Sequence, residues 1–300
     1  MFYLFIDTYV CNLADDTTPY ACDVNLSRLV QNLESDVASV MDWFVANFMI
    51  LNPDKCHFLF SAPKTVVEQL YIQVGDQIIW ESLEKKLLGV TVDKNMQFEY
   101  HMREICKKAS MKLSVLTRWA RIIPFKKKRI LMHSFIKSQF SYCPLLLMFC
   151  SKELNKKINS LHKRALRIVY LDYTSSFEEL LEKDKAVTIH QRNIQLLAIE
   201  LFKVINRQGA DIVWDLFTFN KDKKVEKTFC RPNVNTVSYG EQSIRYFGPI
   251  VWDGMVPPEL KSITSLDKFK GEIEKWVPQN CPCNLCKEYV GGVGNVVTFT

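Results

Sequence analysis

The chain is poor in the features that would place it in several large classes of protein. Among its 300 residues are 10 Gly and 11 Pro, too few for a collagen-like or low-complexity sequence. Long hydrophobic runs are missing: the longest, residues 140–150, is broken by Pro144 and falls short of the roughly 20 apolar residues a membrane span needs. No basic segment precedes the apolar start, and Asp7 interrupts it, which argues against a secretory signal. Ten cysteines are too dilute for a disulfide-stapled miniprotein, so they are expected to stay reduced in an intracellular, nuclear or cytoplasmic, setting. No glycine-rich phosphate loop opens a helix, because Gly291-Gly292-Val293-Gly294 lies in the terminal tail. His101, His133, His162 and His190 form no triad-like pattern with Ser or Cys, and each reads as structural.

Acid is scarce in one place only. Residues 99–170 hold 17 of the 39 Lys and Arg but only 3 of the 33 acids, a local net of +14. The other 228 residues therefore carry −8, against +6 for the whole chain. A basic block in an otherwise mildly acidic protein is the footprint of something that holds a polyanion, although a solvated helix face has the same composition. With 48% hydrophobic residues the chain can bury a substantial core.

Residues 3–12 are aromatic and β-branched and predict a strand, with turn chemistry at Asp15-Asp16-Thr17-Thr18 and a return along residues 19–22. Asn25 caps a helix on Leu29, Leu33, Val37, Val40 and Phe44. Short strands are expected at 56–60, 70–74, 77–81 and 87–92, with Gly75-Asp76 as a hairpin turn. The period then becomes helical. Ile105, Ala109, Leu113, Leu116 and Ala120 share one face, and Pro124 ends that helix before Lys126-Lys127-Lys128-Arg129. A helix capped by Ser151 buries Leu154, Ile158, Leu161, Ala165 and Ile168. Ser175 with Glu178 suggests a capping box, and residues 187–206 a further amphipathic helix. Beyond Gly209 the pattern is irregular up to a last helix near 265–276. The class expected is α+β, in three parts: 1–98 rich in strands, 99–208 helical and basic, 209–300 irregular with a cysteine-rich tail.

Two constellations carry chemistry. Asp15 and Asp16, adjacent at a hairpin tip, offer hard oxygen ligands suited to Mg²⁺, although an ordinary Asp-Asp turn looks the same. Cys281, Cys283 and Cys286 offer three thiolates at spacings that suit Zn²⁺, with no fourth ligand evident nearby and Cys230 about fifty residues away. The spacing also occurs by chance.

The run Asn12-Leu13-Ala14-Asp15-Asp16-Thr17-Thr18 resembles the aromatic-Ala-Asp-Asp signature of reverse transcriptases of jockey-like, non-long-terminal-repeat retrotransposons. The resemblance continues in order. Leu51-Asn52-Pro53-Asp54-Lys55-Cys56 is similar to the fourth palm motif, and residues 86–93 (Lys86-Leu87-Leu88-Gly89-Val90-Thr91-Val92-Asp93) to the primer-grip hairpin. Residues 129–144 and Leu161-His162-Lys163-Arg164-Ala165-Leu166-Arg167 resemble the thumb region, and Trp276 through Cys281 to Lys287 the common C-terminus.

The resemblance implies polymerisation of DNA on an RNA template by a palm followed by a helical thumb. It implies that Asp15 and Asp16 hold Mg²⁺, that Lys55 stands near the leaving pyrophosphate, and that the hairpin at Gly89 presses on the primer end. A nucleic-acid-binding set would comprise Gly89, Lys107, Lys108, Lys112, Arg118, Arg121, Lys126, Lys127, Lys128, Arg129, Lys163, Arg164 and Arg167, with template RNA and primer DNA as partners and no membrane. Leu13 replaces the aromatic residue of the signature. The fourteen residues before Asp15 lack the family's earlier palm aspartate, its nucleotide-binding segment and its fingers. The chain alone is therefore expected to be inactive in primer extension. The alternative is a non-catalytic nucleic-acid-binding protein that uses residues 99–170.

Overall fold

The structure, a computed structural model, describes residues 9–13, 16–61, 69–221, 228–236 and 240–287. It is α+β, with helices dominant and strands confined to short antiparallel pairs. Two compact units divide at residues 97 and 98.

In the first unit, β1 (Tyr9–Leu13) pairs with β2 (Asp16–Tyr20), Leu13 facing Asp16 and Tyr9 facing Tyr20. Asp16, Thr17 and Thr18 are thus strand residues rather than the expected turn, consistent with the extended preference of β-branched Thr. Helix α1 (Leu26–Ala46) is capped by Asn25, whose Oδ1 accepts from the Arg28 amide at 3.1 Å. β3 (Tyr71–Val74) and β4 (Gln77–Trp80) form a hairpin across Gly75-Asp76. The strand expected at 87–92 is instead a second hairpin, β5 (Glu84–Leu87) with β6 (Val90–Asp93). Its turn needs two positive φ angles, met by Leu88 at 47° and Gly89 at 86°, and the second is glycine's territory. The strand expected at 56–60 reduces to one bridge between Phe58 and Glu81. Leu33 of α1 buries against Phe58, Ile72 and Val74.

The second unit is helical where the 3.6-residue period said so. In α2 (Glu99–Trp119) Ile105, Ala109, Leu113 and Leu116 are all buried, and Ala120 follows. α3 (Phe125–Leu131) follows Pro124, and a π turn and two 3₁₀ turns continue to Phe149. α4 (Lys152–Tyr170), capped by Ser151, lays Leu154, Ile158, Leu161, Ala165 and Ile168 onto α2. The capping box lies one residue beyond the expected place: Ser176 and Glu179 close it at the start of α5 (Phe177–Asp184).

A second core forms around α6 (Ile189–Ile205), against α8 (Ile244–Gly254) and α10 (Leu266–Ile273). Short α7 (Asp211–Trp214), the pair β7 (Thr218–Phe219) with β8 (Phe229–Cys230), and α9 (Pro258–Lys261) complete this side. Residues from 99–208 and 209–300 share this core, so the structure does not separate them into two parts. Within α8, a Cβ at Gly248 would sit 3.0 Å from Leu201 Cδ2 and 3.1 Å from Phe217, so glycine eases the close approach to both side chains. No described helix is long and apolar enough to cross a membrane.

Candidate nucleic-acid face and candidate metal centre

In the first unit, Asp15 lies outside the described residues, as does the Asp16 side chain, so neither is tested as a Mg²⁺ ligand. Lys55 ends a 3₁₀ turn, Pro53–Lys55, and is exposed. Gly89 is exposed at the tip of the β5–β6 hairpin.

The cations of the second unit fall into two sets. Lys107, Lys108, Arg118 and Arg121 are exposed on and just after α2, Lys126 and Lys127 on the first turn of α3, and Arg164 on α4. Lys112, Lys163 and Arg167 are half-buried. Arg103 and Lys107 of α2 and Lys157 of α4 line one shallow groove. Arg103 meets Glu99 at 2.5 Å and Lys107 meets Glu104 at 3.8 Å, both exposed pairs of small energetic weight. Among the described residues, Lys108, Lys112, Arg118, Arg121, Lys126, Lys127, Lys163 and Arg164 have no carboxylate partner, which leaves a positive field facing solvent.

Two members of the basic run are engaged by the fold: Lys128 is buried, whereas Arg129 stays half-exposed while it pairs with Asp184. Lys128 is 3% exposed, and its ammonium donates to the Ile168 carbonyl at 3.5 Å, with burial lowering its pKa. Arg129 donates through Nε to Asp184 Oδ1 at 2.8 Å and through Nη2 to the Asp184 carbonyl at 3.0 Å. The helical period explains the split, since four successive positions sweep the whole circumference of α3.

Asp184 is fully covered and also accepts from Tyr170 Oη at 3.1 Å, with His133 Nε2 4.0 Å away. Burial, then the Asp184 charge, raises the Tyr170 pKa. His162 stands edge-on to Phe177, and burial, with the Lys137 and His133 charges, pulls its pKa down to about 3. These groups tie α3, α4 and α5 together as a structural hub.

The tail holds the other site. Cys281, Cys283 and Cys286 are half-buried, and with His190 their ligand atoms all lie within 4.8 Å of one another. Cys283 Sγ is 3.4 Å from His190 Nε2, across 93 residues of sequence. His190 stands in the first turn of α6, behind a capping box of Thr188 and Gln191. The next turn carries the tail: Gln191 Nε2 donates to the Pro278 carbonyl at 3.2 Å and Gln195 Nε2 to the Trp276 carbonyl at 2.6 Å. The Cys286 amide donates to the Cys283 carbonyl at 3.0 Å, a turn that folds the thiols toward one point. Leu285 is buried in the α2–α4 core. Cys283 is pulled below the ordinary thiol range by hydrogen bonds from Cys281 and Cys286, while Cys281 is pushed up to about 12 chiefly by Cys283, and Cys286 is pushed up chiefly by Cys281. One negative charge is easily held there and a second or third is not.

The fourth ligand that was not evident in the sequence is supplied in the fold by His190. His190 is the residue the sequence hid, because nothing in the spacing links it to Cys281; only an inward-facing His on an amphipathic helix marked it. The group is a possible metal site of soft thiol and imidazole donors, a set unsuited to Mg²⁺. The chain matches no protein-family model, no curated protein and no solved structure in the comparisons made.

Proposed function

We propose that this chain is the C-terminal part of a retrotransposon RNA-directed DNA polymerase, and that its second unit holds the template–primer duplex. The resemblance of ordered motifs from Asn12 to Lys287 supports the first statement. One observation carries the second: Lys108 and Arg118 of α2, Lys126 and Lys127 of α3 and Arg164 of α4 are exposed and have no carboxylate partner among the described residues, while Lys128 is buried in the fold and Arg129 pairs with Asp184.

Lysine and arginine on an exposed helical surface meet phosphates mainly through charge, so the grip is on the backbone and independent of sequence. In this reading the palm and primer-grip hairpin belong to the first unit and the thumb to the second. Asp15 and Asp16 would hold Mg²⁺, which would supply charge stabilisation for phosphoryl transfer, Lys55 would stabilise the leaving pyrophosphate, and the cysteine tail would hold Zn²⁺.

The test is affinity for a labelled RNA–DNA hybrid at increasing salt. Each phosphate contact contributes a slope of about −0.9 in log K against log salt, so binding should fall at least about tenfold between about 50 and 200 mM. Affinity that does not move with salt overturns the assignment of the face. For the polymerase assignment, Asp15→Ala should abolish Mg²⁺-dependent primer extension by any longer product of the same reading frame, and extension that survives overturns it.

A further inference from the structure

We propose that His190, Cys281, Cys283 and Cys286 form a closed, four-ligand zinc site whose role is to clasp residues 276–287 onto the first turns of α6. The donor set is three thiols and one imidazole, a combination that structural zinc sites use. In a tetrahedral site with Zn–S near about 2.3 Å, neighbouring ligand atoms stand about 3.8 Å apart. The Cys283–His190 separation of 3.4 Å and the 4.8 Å limit on the whole group need adjustments of no more than about 1 Å to meet that geometry.

Two features argue for a tether rather than a catalytic centre. With four protein ligands the coordination shell is full, which leaves no position for water or substrate. The ligands also come from a helix start and a tail that are already aligned by Gln191 to Pro278, Gln195 to Trp276, and Arg192 Nη2 to Glu274 at 2.9 Å. The metal would finish a clasp that hydrogen bonds begin, and would hold Leu285 in the core. Nδ1 of His190 is buried with no partner among the described residues, so the ring is positioned by packing and by its Nε2 contact rather than by an outer acceptor.

The inference does not depend on nucleic-acid binding, and its readout is separate. The full chain, purified without chelator, should carry about one zinc, released by a thiol-modifying reagent. Cobalt substituted for it should give the intense d–d and thiolate charge-transfer bands of a tetrahedral sulfur–nitrogen site. Cys283→Ser should lose the metal, whereas His190→Cys should keep it and shift the cobalt bands toward those of a four-sulfur site. That rescue keeps the test decisive should Cys283→Ser fold poorly. Metal-free protein with free thiols and no cobalt spectrum overturns the proposal, as does an internal disulfide among the three cysteines in freshly reduced-lysate material. Equal metal content in His190→Ala and in wild type, with an unchanged cobalt spectrum, overturns the part assigned to His190.

Discussion

The first unit is the more apolar and the less charged of the two, yet it buries the smaller core. The first buries Leu33, Phe58, Ile72 and Val74 under two-stranded pairs that form three separate sheets, and it leaves Phe48 and Ile50 almost fully exposed, at 98% and 96%. The second buries two continuous helical clusters, one along α2 and α4, the other around α6. An isolated two-stranded hairpin is marginal in water, whereas a helix pair with a full apolar stripe is not. The comparison teaches that the residues expected to do chemistry stand on the weaker scaffold, and those expected to hold a ligand stand on the stronger one.

The largest effect that can break this comparison is core truncation. Leu113→Ala, at a fully buried position between α2 and α4, should cost about 4 kcal/mol in urea unfolding. Leu33→Ala, in the smaller core, should cost about 2 kcal/mol, because its site is partly open and can collapse. Equal costs would remove the distinction between the units.

Next is the hub under the basic run. Arg129→Ala leaves the covered Asp184 carboxylate with Tyr170, His133 and the Lys137 charge, and because Arg129 is itself half-exposed it should destabilise by about 2 kcal/mol. Circular dichroism melting would record it, and a change under 1 kcal/mol would return Arg129 to the surface set.

Acid sharpens the same point. Burial depresses the folded pKa of His162 to about 3 from the ordinary imidazole value of 6.5, so the unfolded chain binds its proton first as pH falls. The contribution is fully present above pH 6.5 and is lost progressively toward pH 3, a loss on the order of a few kcal/mol across that window. His162→Leu should flatten that part of the stability profile, and a variant with an unchanged acid slope would show that other groups carry it.

Much of the second unit was legible because its helices obey one period: every apolar position assigned to the α2 and α4 faces is buried. The capping box shifted by one residue because Ser175 and Ser176 both precede a glutamate three positions on, and only packing chooses between them. α8 was illegible because Gly248 and Pro249 read as breakers; in the fold, Gly248 permits contact with α6, and Phe247, Val251 and Trp252 override the local preference. The hairpin at Gly89 was legible from the family resemblance and not from the strand pattern. His190 was legible only as a structural histidine and not as a ligand, since its partner thiols meet it through tertiary structure.

The smallest effect on stability and the most informative one on function come from the outward cations. Lys126→Gln with Lys127→Gln should change stability by less than about 0.5 kcal/mol, since both side chains are exposed and have no carboxylate partner among the described residues. Thermal unfolding would check that.

The measurement that bears most directly on the account is the salt dependence of RNA–DNA hybrid binding in a chain with Lys107, Lys108, Lys126 and Lys127 all changed to Gln. The account predicts a folded protein whose log–log salt slope is shallower by roughly 1 for each lysine that meets a phosphate, with weaker affinity at every salt concentration. A slope and affinity equal to those of the unchanged chain would contradict it, and would mean that the exposed basic face is a solvated surface.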